Sequence, residues 1–281
     1  MSDSGSTIPQ DGEFGDSWLR RRLDSPQTAA WCGFGVLVLC AWLLLAAMSF
    51  GASGGEAGFA RELLASLCAV STSGWTGNDL ALAFAMWMAM TFAMMLPAGA
   101  PMLATYMDIA GAARRKGMKI PSSAVLAGGY LSVWGAFAVV ATCAQWALAS
   151  AGELSPAFTV ASPWLGAGVL IGAGAWQFSA TKHDCLTKCR RPFTWFMANW
   201  RDDTLGVLNM GLRQGVICLG CCWALMAVMF VAGLMNLLWM AVLAIVMVAE
   251  KVLPNPKPLV YGTGVVLILT GIGIVVSTLV V

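Results

Sequence analysis

Gln214 to Ala249 reads QGVICLGCCWALMAVMFVAGLMNLLWMAVLAIVMVA, 36 residues without one charged side chain. As a single α-helix this stretch would be about 54 Å long, whereas the hydrocarbon core of a bilayer is about 30 Å thick. It is too long for one upright span and too apolar for a water-facing helix. Gly233 and Asn236 supply a tight turn, which divides the stretch into a hairpin of two spans, roughly 211–232 and 235–251.

Outward from the hairpin the same logic repeats. Charge-free runs at 28–50, 80–107, 122–150 and 158–180 predict four earlier spans, and 258–280 predicts a last one after the break at Pro254, Pro256 and Pro258. The expected fold class is therefore all-α, a polytopic transmembrane helical bundle of about seven spans. Residues 1–27 read as a cytoplasmic tail and 28–281 as a single helical domain. The basic run Arg20 to Arg22 precedes a first span too long and too poor in a cleavage site for a signal peptide. Residues 51–78 read as an outside loop in which Arg61 to Val70 forms an interfacial helix.

Lys and Arg set the orientation. With seven spans, 15 of the 16 basic residues fall on one side: Arg20–Arg22, the 114–119 group, Lys182 to Arg213, and Lys251 with Lys257. Only Arg61 lies opposite. The N-terminus is expected in the cytoplasm and the C-terminus outside. A single span over 214–249 would break this pattern, so the charge bias also favours the hairpin.

Composition agrees. Hydrophobic residues make up 59%, charged residues 11%, and mean hydropathy is +0.76. Soluble domains carry about 25% charged residues. The net charge of +2 comes without a basic stripe interleaved with aromatics, so no nucleic-acid partner is expected. The lipid bilayer is the expected partner. One histidine cannot supply a bis-histidine haem or a three-histidine zinc site, and no phosphate loop or serine triad is visible.

Four groups could carry chemistry. Met86, Met90 and Met94 recur every four residues on one face of the second span, with Met88 and Met95 flanking. Thioethers are soft ligands for Cu(I), although methionine is also an ordinary gap-filler. Pro97 and Pro101 should kink this helix and free carbonyls. In the 181–210 cytoplasmic loop, His183, Cys185 and Cys189 fall within seven residues, and nearby Lys188, Arg190 and Arg191 should favour thiolate. The aromatic residues Phe193, Trp195, Phe196 and Trp200 suit a segment lying at the membrane surface. Cys218, Cys221 and Cys222 share a helix neighbourhood, where Gly211, Gly215 and Gly220 admit a close helix. Arg213 and Glu250, both at the cytoplasmic boundary, are placed to pair; Asp79 and Asp108 should sit in water.

In combination, Trp87-Met-Ala-Met90…Met94-Met95-Leu-Pro97, Lys182…Cys185-Leu…Cys189-Arg…Pro192, Gly215…Cys218…Gly220-Cys221-Cys222-Trp223…Met226 and Trp239-Met240…Glu250-Lys251 resemble one bacterial family. It is known as domain of unknown function 2182, described as predicted metal-binding integral membrane proteins, and the resemblance covers about residues 80–255. It implies a bacterial inner-membrane protein with a metal site. By position it implicates Met90, Met94, Met95, Cys185, Cys189, Cys218, Cys221, Cys222 and Glu250; His183 has no matched position.

The expected function is binding of a soft transition metal for transport or homeostasis, with copper the first choice and zinc the second. Methionines of the second span would relay the ion and the cysteines would hold or hand it over, to a metal chaperone or to other membrane subunits. Two alternatives stand beside it. One is a thiol–disulfide oxidoreductase working through Cys185 and Cys189, or through a loop–span pair. The other is a scaffold subunit of a larger membrane complex.

Overall fold

The computed structural model describes residues 26–51, 75–155, 159–234 and 236–280. The N-terminal tail with its arginines and most of the 51–78 loop, including the expected interfacial helix, lie outside them. The described residues are all-α, with one isolated antiparallel bridge between Leu154 and Val160. In chain order the helices are α1 Pro26–Gly51, α2 Gly77–Arg115, α3 Ser123–Ser150, α4 Pro163–Gln177, α5 Ala180–Arg190, α6 Pro192–Asn199, α7 Thr204–Ala227, α8 Met229–Ala232, α9 Leu237–Val252 and α10 Lys257–Val280.

Local chemistry sets many of the helix starts. Thr76 and Asp79 form a reciprocal capping box on α2, in which the Asp79 carboxylate accepts from the Thr76 amide at 2.7 Å. Asp79, expected simply to sit in water, is therefore the partner that closes this cap. Ser162, Ser179, Asp203 and Asn236 cap α4, α5, α7 and α9. Asn236 follows Gly233, whose φ is +99°, so the hairpin turn lies where Gly233 and Asn236 predict it. Pro97 and Pro101 lie inside one continuous α2. Proline lacks an N–H and frees the carbonyl four residues earlier; at Pro97 that is Ala93, and the Trp42 indole of α1 donates to it at 3.1 Å.

Among the described residues, five helical stretches are long and apolar enough to cross a membrane: 30–47, 77–115, 123–150, 204–232 and 257–280. This is a multi-pass membrane protein. The helices α4 and α9, with 15 and 16 residues, are only about 22 and 24 Å long. Two differences from expectation bear on the site. The fifth expected span begins at Thr204 rather than 211, because Asp203 caps the helix there. The 181–210 segment is largely helix, not loop: α5 packs on α7 and α9, and α6 packs on α2. Phe196 is buried against Tyr106, with ring centroids 6.0 Å apart, while Phe193 and Met197 face outward. The aromatic segment thus spends one face on the bundle itself rather than lying wholly at a membrane surface.

Glycines hold the main pairs together. Gly129 and Gly211 leave room for the α7 and α3 backbones at Leu208 and Leu126, and Gly215 abuts Tyr130 and Val133. The register makes α3 and α7 parallel. A Cβ on Gly174 would lie 2.8 Å from the Gly264 carbonyl, and one on Gly271 3.0 Å from the Ala167 carbonyl; α4 and α10 are therefore antiparallel. The Trp176 indole donates to the Gly220 carbonyl at 3.1 Å. The short helix α4 thus stops near the level of Gly220, while α7 begins 14 residues before Cys218, about 21 Å away. The step left where the short helices stop receives α5.

Candidate metal centre

The cysteines of α7 sit where this step opens. Positions 218, 221 and 222 are spaced by three and four residues, so one helix face carries all three. Their sulfurs lie within 4.8 Å of one another, and their exposures are 2%, 1% and 0%. Cys221 Sγ is 3.4 Å from Cys222 Sγ, and its thiol also donates to the Cys218 carbonyl at 3.1 Å.

Other elements complete the centre. α5 presents Cys185 and Cys189 toward α7. Cys189 Sγ lies 4.0 Å from Cys221 Sγ. Cys185 lies against Gly220, where an added Cβ would approach its sulfur to 2.8 Å. From α9, the Lys251 ammonium donates to Cys218 Sγ at 3.0 Å. From α3, the Tyr130 hydroxyl stands 3.1 Å from the same sulfur and donates to the Met95 carbonyl at 3.0 Å. Four helices therefore meet at one sulfur cluster.

The cationic side chains of α5 do not act as its sequence implies. Burial pushes the Cys185 thiol above its ordinary pKa, and Lys188 offsets this only in part. Hydrogen bonding to Cys218 pushes Cys189 upward, against an opposite pull from Cys221. Both are thiols at neutral pH, a correction to the thiolate expected from the basic neighbours. Arg190 is turned away and donates to the carbonyls of Leu253 and Pro254.

Glu250 does not pair with Arg213, which is exposed on α7. Its two carboxylate oxygens accept instead from Lys182 Nζ at 3.0 and 2.8 Å. The pair is buried, at 0% and 1% exposure, and ties α5 to α9 just behind the sulfurs. This engagement leaves Glu250 with no oxygen free of the ammonium. His183 lies on the other side of α5 from Cys185 and Cys189; its ring meets Tyr261 edge-on, with centroids 5.4 Å apart.

Met86, Met90, Met94 and Met95 are buried in the core, at 3%, 0%, 0% and 0% exposure. Of these, Met95 is linked to the cluster through the Tyr130 hydroxyl. Tyr130, Lys182 and Lys251 are the participants that the sequence reading missed. By sequence Lys251 reads as a loop charge, and the signal for its burial is its place directly after an apolar run. In chemical terms the centre offers several neutral or ionisable sulfurs, one fixed cation and no imidazole, a donor set suited to a soft monovalent ion.

A family model described as PpoB2, copper chaperone, matches residues 84–274, about two thirds of the chain. No curated protein matches, and no solved structure matches.

Proposed function

The chain belongs to the PpoB2 copper-chaperone family, and from that premise we propose that it carries Cu(I) on the sulfur cluster of α5 and α7 within a bacterial inner membrane. The observation that carries this reading is the triad Cys218, Cys221 and Cys222, buried within 4.8 Å and touched by the Lys251 ammonium. Thiolates bind Cu(I) strongly, and each must lose its proton to do so. A cuprous ion held by two or three thiolates carries net negative charge. In a dry site that charge needs a counter-ion, and Lys251 supplies one. Cys189 is near enough to exchange into the ligand set, with Cys185 behind it. Copper is preferred over zinc because the matching family model is described as a copper chaperone and an all-sulfur donor set is soft.

The membrane arrangement belongs to the same proposal. Counting α4 and α9 as short spans gives seven, with the N-terminus inside and the C-terminus outside. The alternating directions of α2, α3, α4, α7, α9 and α10 and the charge bias both support it. The cluster then sits near the cytoplasmic edge, within reach of a soluble metal chaperone or a partner subunit. The stretch resembling domain of unknown function 2182, about 80–255, lies almost wholly within residues 84–274, which supports treating the two descriptions as one family.

The test is copper content after anaerobic purification in mild detergent. About one copper per chain, lost in a C218S/C221S/C222S variant, is the expected result; a chain that takes up no Cu(I) when offered it refutes the proposal. A second reading, thiol–disulfide exchange, rests on the 4.0 Å separation of Cys189 and Cys221 sulfurs. It requires a redox-dependent alkylation pattern at those two cysteines in copper-free protein.

A further inference from the structure

Beside the methionines of α2, further methionines are buried on neighbouring helices. Met226 and Met229, on α7 and α8, are 0% exposed, and Met240 and Met247, on α9, are 2% and 0% exposed. Contacts between these helices fix the register. At the inner level Tyr130 joins Met95 to Cys218, and Lys251 joins α9 to Cys218. Toward the outer end Trp87 of α2 meets Phe230 of α8, with ring centroids 5.2 Å apart. Ala93 and Pro97 of α2 share a groove with Ala244 and Val248 of α9.

Interpolating helix by helix places Met94 and Met247 at the level of Cys222. One to two turns further out, Met86 and Met90 fall level with Met226, Met229 and Met240. That outer level is 11 residues along α7 and α8 from Cys218, or about 16 Å.

We infer that Met86, Met90, Met226, Met229 and Met240 form a second, thioether-only Cu(I) site between α2, α7–α8 and α9, connected to the cysteine cluster through Met94 and Met247. The inference rests on the copper reading above and deepens it. Thioethers are neutral, so an ion there keeps its positive charge in a low-dielectric interior and is held weakly. The π-faces of Trp87 and Phe230 border the site and offset part of that cost. Thiolates neutralise the ion, so the cysteine cluster is the tighter end. No bond other than the metal–sulfur bonds changes: one thioether leaves as the next sulfur enters, and protons depart only from the thiols.

Packing alone would also bury methionines, and the experiment separates the two. The full-length C185S/C189S/C218S/C221S/C222S variant is titrated anaerobically with Cu(I), and X-ray absorption reads the ligands. The expected result is residual, weaker binding with sulfur ligands that disappears when Met90→Leu, Met229→Leu and Met240→Leu are added. Binding that survives those additions, or no residual binding when the wild-type chain binds copper, overturns the second site and leaves the copper reading standing. No binding by the wild-type chain removes both.

If the serine variant does not fold, the three Leu substitutions are made in the wild-type background, where volume is nearly conserved. Loading of the cysteine cluster from the outer side of reconstituted vesicles should then slow by about tenfold or more. Equal loading rates overturn the inference.

Discussion

Lys251 sets the charge of the cluster, because its ammonium is buried and 3.0 Å from Cys218 Sγ. A charged hydrogen bond contributes about 1.5–3 kcal/mol. Lys251→Met should therefore weaken Cu(I) binding by about tenfold to about a hundredfold, read by competition with a chromogenic chelator. Cys185 and Cys189 add to the pH dependence that the triad's own thiols bring. Both have pKa values pushed above the ordinary thiol value, so at neutral pH they hold protons that a metal must displace. Raising the pH lowers that cost, and apparent affinity should climb from about pH 6 to about pH 8. Cys189→Ser should make the climb shallower. An identical slope in that variant would mean that Cys189 is not a ligand.

At the scale of elements, the question is what holds α5 in its step. The Lys182–Glu250 pair is buried with its charges hydrogen-bonded. Removing one partner of such a pair typically costs about 3–5 kcal/mol, because the other is left uncompensated, whereas replacing both can be nearly neutral. Lys182→Met should loosen α5 and expose Cys185 and Cys189 to maleimide, and adding Glu250→Leu should restore much of the protection. Protection that stays lost in the double variant would show that the pair directs the position of α5 rather than merely tolerating burial. Gly220 is the other control. A Cβ there would press on Cys185 Sγ, a movable side chain, so Gly220→Ala should shift α5 and reduce copper content without unfolding the chain. At Gly211 the obstacle is the Leu126 backbone, which cannot yield, and Gly211→Ala should lower thermal stability outright.

For the whole molecule, the proposed seven-span arrangement predicts the sidedness of the site. Reporter fusions should find the 116–120 and 253–256 turns inside and the C-terminus outside. An inside C-terminus would leave α4 or α9 short of crossing and would put the copper entry path on the other face. Because α4, α9 and α10 all end or begin near the cysteine level, the cluster lies where these helices give way to α5 and α6, packed on α2 and α7.

Composition and periodicity were enough to establish an all-α membrane protein, the Gly233–Asn236 hairpin and the three cysteines of α7 on one face. Each of these is local: a charge-free run, a turn signal, or a spacing of three and four residues. The tertiary structure alone decided which distant groups meet. Whether Cys189 reaches Cys221 depends on Gly220 admitting α5. Whether Lys251 reaches Cys218 depends on the length of α9 after its Asn236 cap, and Glu250 takes Lys182 rather than Arg213 because Arg213 lies on the exposed face of α7. The rotation of α5 turns His183 toward Tyr261 and its cysteines inward. These are consequences of helix packing and register between residues tens of positions apart, which no short-range pattern in a single sequence records.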